Sequence, residues 1–308
     1  MRLNRLAVLF VAILMVTASS CAQDGAPMEG VYNVFQIKVS GYTGTAFTMA
    51  VDGRQYLITA KHMVAKLKND GSPESIEMLV GDYYNKNNIE WKTEPVRIFA
   101  CEDPIDIAVI VTEEFYGRTK SRDLSDAIYG ELSFEAHPDG HPLGQEAYFM
   151  GFPFGAAPTK GPGGPLPFSK RAALSLNYWN GKADTMYFDG YNNHGFSGAP
   201  VLFKDPLDTR PNRSHYFVGG VVSGFIPELV ETANWRRSRQ NEDVSRIEQW
   251  RVEKRADGFT YILEDTDTVV PLNTGIIVAY NIRHAVELIK AHPIGPKIPE
   301  VNHDVFAK

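Results

Sequence analysis

The sequence predicts an all-β protein, a barrel or a sandwich, with helix confined to its last third. Eleven short segments are rich in β-branched and aromatic residues: VYNVFQIKV, TAFTMAV, QYLITA, IEMLVG, VRIFA, IDIAVIV, EAYFMGF, AALSLNYW, TMYFDG, APVLF and YFVGGVVSGF. Turn residues separate them, most clearly Asp52-Gly53, a strong hairpin signal, and the Gly-Pro run GAAPTKGPGGPLPFSK at 155–170. Helical periodicity is nearly absent before residue 228. That combination belongs to antiparallel all-β architectures.

The first twenty residues stand apart from the domain. MRLNR carries Arg2 and Arg5 without an acid, LAVLFVAILMV runs eleven residues without a polar side chain, and small residues follow. This is the layout of a secretory signal, and its apolar run is short for a bilayer span of about 20 residues. Two cleavage points are open. Ala18-Ser19-Ser20-Cys21 resembles a bacterial lipobox, with Ala18 where the motif usually has Leu, and Cys21 as the lipidated residue. Alternatively, an ordinary peptidase cuts after Ala22. The lipobox resemblance implies an exported protein, in the periplasm or anchored by lipid to the outer membrane of a Gram-negative bacterium, since Asp does not follow Cys21.

The expected organisation is a signal at 1–20, a tether at 21–30, one domain over 31–292 and a C-terminal tail at 293–308. Within the domain ELVETANWRRSRQNEDVSRIEQWRVEKRA, about 228–256, reads as an amphipathic helical insertion whose arginines form a solvated face. NIRHAVELIKA, 281–291, reads as a closing helix before the proline-rich end.

Composition narrows the function. With 308 residues, 44% hydrophobic and 22% charged, the chain is long enough for a core without disulfides. Cys21 and Cys101 are its only cysteines, so no disulfide framework is expected, and Cys101 in VRIFACED reads as a buried inert thiol. The net charge is −6, or −8 without the two arginines of residues 1–20, which speaks against a nucleic-acid partner. The histidines are scattered, and no C-x-x-C, P-loop or dinucleotide glycine pattern occurs, so neither a metal nor a cofactor is expected.

Three stretches carry chemistry. LITAKH places His62 after an apolar strand, DPIDIAVI places Asp106 at the mouth of another, and NHGFSGAP places Ser197 in a glycine-bracketed turn. Acyl transfer by a serine needs a base, an orienting acid, and N–H donors aimed at the developing oxyanion. Glycines tolerate the positive φ that such a tight turn requires, and the backbone of Gly195 and Ser197 would supply the donors.

In the order His, Asp, Ser, these stretches resemble the motifs of the trypsin-like (chymotrypsin-fold) serine proteases. LITAKH is similar to that family's T-A-x-H, DIAVI to D-I-A-L, and GFSGAP to G-x-S-G-x-P. GTAF at 44–47 resembles the strand before the histidine hairpin, and GGVVSGF at 219–225 the strand that lines the substrate cleft. The resemblance covers roughly residues 35–290. It implies two six-stranded antiparallel β-barrels, about 31–135 and 136–292, a C-terminal helix, and an endopeptidase acting on protein or peptide substrates through an acyl-enzyme. His62 is then general base and acid, Asp106 orients it, and Ser197 is the nucleophile. It also implies a substrate pocket near Tyr191, Asn192 and His194, walled by Ser223, Gly224 and Phe225, whose register stays open. No acid stands at the pocket base, which disfavours Lys or Arg specificity, and His194 could reach a substrate carboxylate. Many secreted relatives carry Asp before the nucleophile, paired with a freshly cut N-terminus. Here Phe196 stands there, which implies activity without zymogen cleavage.

Two other classes stay open. An α/β-hydrolase esterase would carry Ser197 on a G-x-S-x-A elbow, with Asp243, Asp257 or Asp265 and His284 or His292 following it. A non-enzymatic cell-surface module could use a protease-like scaffold. Oligomeric state is not legible in the chain.

Overall fold

The computed structural model describes residues 33–81, 89–113, 141–156, 160–161, 164–204, 216–240 and 242–298. The signal, the tether, Cys21 and the expected barrel boundary near residue 135 lie outside them.

The first six strands are β1 (Val34–Val39), β2 (Tyr42–Val51), β3 (Arg54–Thr59), β4 (Asp70–Gly81), β5 (Ile89–Ala100) and β6 (Ala108–Thr112). They close into an antiparallel barrel in the order β1-β2-β3-β6-β5-β4. Asp52 and Gly53 both take positive φ, 50° and 69°, at the β2–β3 hairpin. That is the primed turn whose twist matches paired strands, as the Asp-Gly signal predicts.

After this barrel come β7 (Glu146–Gly151), a two-stranded ribbon of β8 (Lys160–Gly161) and β9 (Gly164–Pro165), then β10 (Phe168–Trp179), β11 (Asp184–Asp189), β12 (Pro200–Lys204), β13 (Tyr216–Arg237), β14 (Val252–Lys254) and β15 (Thr260–Asn281). The sheet runs β11-β10-β7-β12-β13-β15-β14, and β15 also pairs back with β11. Six of its strands therefore form a second closed ring, with β14 added on the far part of β15. Helix α1 (Arg283–Ala291) follows directly. Two six-stranded antiparallel barrels and a C-terminal helix are the trypsin-like arrangement. A parallel sheet with helices on both faces, which the α/β-hydrolase alternative requires, is not what these strands build.

Period-2 alternation explains the cores. Phe35, Ile37 and Val39 of β1 point into the first barrel, with Leu57, Met78 and Ile110. Phe47, Met49, Tyr56 and Ile58 point the other way, into a shared core with Tyr148, Met150, Leu202, Val218 and the α1 residues Ala285, Val286 and Ile289. On β7, Ala147 and Phe149 fill the second barrel while Tyr148 and Met150 face the shared core. Strands buried on both faces read as unbroken apolar runs. Each large side chain so buried contributes about 1.5–3 kcal/mol.

The expected helical insertion at 228–256 is corrected by the structure. Residues up to Arg237 continue β13, and beyond it the described residues form two 3-10 turns, Val244–Arg246 and Gln249–Arg251, followed by strand β14. β13 and β15 pair as a long ribbon to Arg237↔Tyr261. The charges that read as a helix face pair at the far end of this ribbon instead: Arg236 binds Glu264 of β15 at 2.7 Å and Glu242, just beyond β13, at 2.5 Å, and Arg251, just before β14, binds Asp265 of β15 at 2.7 Å. Val230 and Thr232 favour the pleated state, and Thr232 bonds Thr266 across the strands at 2.5 Å. The start of the expected tail is also anchored. Gln55 N–H donates to the Pro296 carbonyl and Ile298 N–H to that of Gly53, both at 2.9 Å.

Candidate active site

Strand register brings His62 and Asp106 together. Thr59 of β3 pairs with Ala108 of β6, so the residues just beyond those strand ends meet. Past β3 the chain makes the 3-10 turn Lys61–Val64, with Met63 and Val64 buried and His62 turned outward. Asp106 Oδ2 lies 2.7 Å from His62 Nδ1, while Oδ1 accepts the His62 backbone N–H at 2.8 Å. Two bonds to one residue hold both the ring and its backbone. The Ser223 hydroxyl donates to Asp106 Oδ2 at 2.5 Å. Burial pushes the Asp106 carboxyl up, but the bonds and charge from His62 and the bonds from Ser223 and the His62 backbone outweigh it, holding it below its ordinary value. The carboxylate is thus ionised across the neutral range and is an acceptor for a proton on His62 Nδ1, an arrangement in which a neutral ring presents Nε2 as its acceptor.

Ser197 sits between Gly195 at φ +98° and Gly198 at φ +84°. A Cβ on Gly195 would fall 2.1 Å from the Phe152 carbonyl oxygen, and one on Gly198 would fall 2.1 Å from that of Thr45. Both space and conformation demand glycine there. Phe196 between them is buried in the second-barrel core. No backbone acceptor among the described residues takes the N–H of Gly195 or of Ser197, so both donors stay available beside the hydroxyl.

Ser197 Oγ donates to the Ser223 carbonyl at 3.3 Å. In this conformation the hydroxyl rests there rather than on the imidazole. Ser197 and His62 nevertheless line one cleft of about 720 Å³, together with Tyr42, Thr43, Met63, Lys66, Phe154, His194 and Gly195.

The other expected residues gather nearby. Asn192 is buried, and its Nδ2 donates to the Gly224 carbonyl at 3.1 Å, tying the loop before Ser197 to β13. The His194 ring meets Phe225 edge to face at 6.0 Å, and its carbonyl accepts Phe154 N–H at 2.6 Å. Tyr191 is exposed. Asn192 is thus occupied in holding the loop, and the Ser223 hydroxyl is occupied by Asp106. The structure places Cys101 partly buried beside α1, its Sγ 3.7 Å from the His284 carbonyl, and burial pushes its thiol up to about 12. His137 and His141 stand four apart in the sequence. His137 lies outside the described residues, and His141 stacks on Phe203 at 3.7 Å, which is a packing role.

Sequence reasoning missed Thr45 and Lys170. Thr45 is fully buried in β2, within the GTAF stretch. Its hydroxyl donates to the Gly195 carbonyl at 2.7 Å, and its N–H donates to the Ser197 carbonyl at 2.9 Å. No sequence signal marked Lys170, whose contacts span about twenty positions.

No family model and no curated protein matches the chain. Among solved structures it is similar to the inactive form of Rv3671c protease of M. tuberculosis, at 12% identity over 85% of this chain and 89% of that one, TM-score 0.43. It is similar to the HtrA-type protease AlgW with tripeptide, at 15% identity over 85% of this chain and 60% of that one, TM-score 0.46. A third similar structure is Deg5, at 17% identity over 63% and 80%, TM-score 0.41.

Proposed function

We propose that this chain is a serine endopeptidase that cleaves polypeptides through an acyl-enzyme, with His62, Asp106 and Ser197 as its triad. The observation that carries the reading is the doubly bonded His62–Asp106 pair opening on the same cleft as a serine held in a glycine-bracketed turn. Substrate entering that cleft would draw the Ser197 hydroxyl from the Ser223 carbonyl toward His62 Nε2. The imidazole would take the proton as the oxygen attacks the scissile carbonyl, then pass it to the leaving amine. The carbonyl oxygen, becoming an oxyanion, would accept from Gly195 N–H and Ser197 N–H. Asp106 would stabilise the cation formed on His62 without taking its proton.

Activity without zymogen cleavage belongs to the same proposal. Phe196 is apolar and buried in core, so it needs no charged chain terminus as partner, whereas a buried Asp would. Export and lipidation at Cys21 are proposed from the sequence signals alone, and mass analysis of the mature N-terminus tests them. A non-enzymatic scaffold is the second reading, favoured by the resting bond from Ser197 Oγ to Ser223. One experiment separates the two. The protein, with no activating protease added, is treated with a fluorophosphonate and given an unfolded protein substrate. Labelling that disappears in Ser197→Ala, together with turnover lowered on the order of a million-fold, supports the enzyme. An unlabelled wild type supports the scaffold.

A further inference from the structure

Lys170 stands on β10, opposite Phe149 of β7. Its ammonium, partly exposed, turns back onto the loop before Ser197. It donates to the Tyr191 carbonyl at 3.0 Å and to Asn193 Oδ1, and it lies 5.0 Å from the centre of the Phe196 ring. These three partners belong to the six residues directly before Ser197. No carboxylate pairs with Lys170 among the described residues. A partly buried ammonium is thus held by a carbonyl, an amide oxygen and the negative face of an aromatic ring. Burial lowers its pKa, the mark of a charge withdrawn from water.

We infer that Lys170 is an internal substitute for the charged chain terminus that braces the nucleophile loop in cleavage-activated relatives, and so a positioning residue for the oxyanion donors. This rests on the serine-protease reading. The residue before the nucleophile is here an aromatic ring, and the ring receives a cation from the protein's own side chain. The geometry transmits the grip. Lys170 fixes the Tyr191 carbonyl and the Asn193 side chain. Asn193 N–H is held by Asn192 Oδ1 at 2.8 Å, and the Asn193 carbonyl takes Phe196 N–H at 3.2 Å. The peptide carrying Gly195 N–H lies inside that turn. Thr45 grips the other end from the first barrel, so the loop is clamped from both sides. The second-barrel clamp is a cation built into the chain, present from the moment of folding.

The test uses the full-length chain with Lys170→Met, which keeps the length and removes the charge, and Lys170→Arg, which restores it. Lys170→Met is expected to lower kcat and fluorophosphonate reactivity by about tenfold to a hundredfold, below the hundredfold to thousandfold lost with a whole oxyanion donor. KM for a peptide substrate should change little. Affinity for a peptide boronate, whose tetrahedral adduct uses the same donors, should fall in parallel, and Lys170→Arg should recover part of both. In Lys170→Ala, added propylammonium should restore activity, which a purely structural loss would not allow. Lys170→Met with unaltered labelling and boronate affinity overturns the inference while leaving the protease reading intact. An inert wild type sinks the protease reading instead. In that case hydrogen exchange over residues 191–198 still decides: faster exchange in Lys170→Met supports the brace, and unchanged exchange overturns it.

Discussion

Thr45→Val removes one oxygen from the joint between the barrels and keeps the branched shape. The Thr45 hydroxyl donates to the Gly195 carbonyl at 2.7 Å and accepts Phe152 N–H at 3.3 Å, both in buried surroundings. Valine leaves that carbonyl without its donor, which costs about 1–3 kcal/mol. The longer bond from Phe152 adds less than about 1 kcal/mol, because it lies at the weak end of the distance range. The expected loss of stability is therefore about 1–4 kcal/mol, at roughly 2–4 °C in Tm per kcal/mol for a large domain. Urea unfolding of wild type, Thr45→Val and Thr45→Ser measures it. Serine keeps the hydroxyl and should retain most of the bond energy, losing only a methyl group. Under the proposed mechanism the Gly195 carbonyl belongs to the residue that would offer its N–H to the oxyanion, so Thr45→Val should also lower kcat more than it raises KM. A valine variant within about 0.5 kcal/mol of wild type, the range of a neutral surface change, would show that the hydroxyl bears no stabilising bond and refute the reasoning.

Asp106→Asn removes the acceptor that fixes the His62 tautomer and should lower kcat by about ten-thousand-fold with little change in fold, measured by peptide hydrolysis and circular dichroism. His284 is buried, and its Nε2 accepts the Asp184 N–H at 3.0 Å, which only the neutral ring can do. Burial depresses its pKa against the pull of Glu287 and Asp184. The unfolded chain therefore binds that proton first, so stability should fall as pH drops below about 6.5 and level off below the folded-state value. Urea midpoints across pH 4–8 should show this slope, and His284→Gln should flatten it. Cys101 should resist alkylation at pH 8 in the native protein and react on unfolding in urea, followed by mass in a Cys21→Ser background.

Much of the fold was legible because it depends on local pattern. Asp52-Gly53 makes its turn from two residues, and DIAVI and LITAKH end apolar strands with a polar group wherever those strands pair. The helix at Arg283–Ala291 carries its own buried stripe, with Ala285, Val286 and Ile289 beside His284. The misread segment at 228–256 shows where local pattern fails. Arginines alternating with acids suit a helix face or a ribbon edge equally, and the partners on β15, Glu264 at 28 residues from Arg236 and Asp265 at 14 from Arg251, select the ribbon.

The sequence by itself determined which residues are candidates for the proposed chemistry: a histidine and an acid at strand ends, and a serine that only glycines can bracket. Tertiary structure alone decided what holds them. The Ser223 hydroxyl on Asp106, the Thr45 hydroxyl on the Gly195 carbonyl and the Lys170 ammonium on Tyr191 and Asn193 join residues 117, 150, 21 and 23 positions apart. Hydrogen bonds between side chains that distant are set by where two closed barrels place their loops, and no spacing along the chain encodes them.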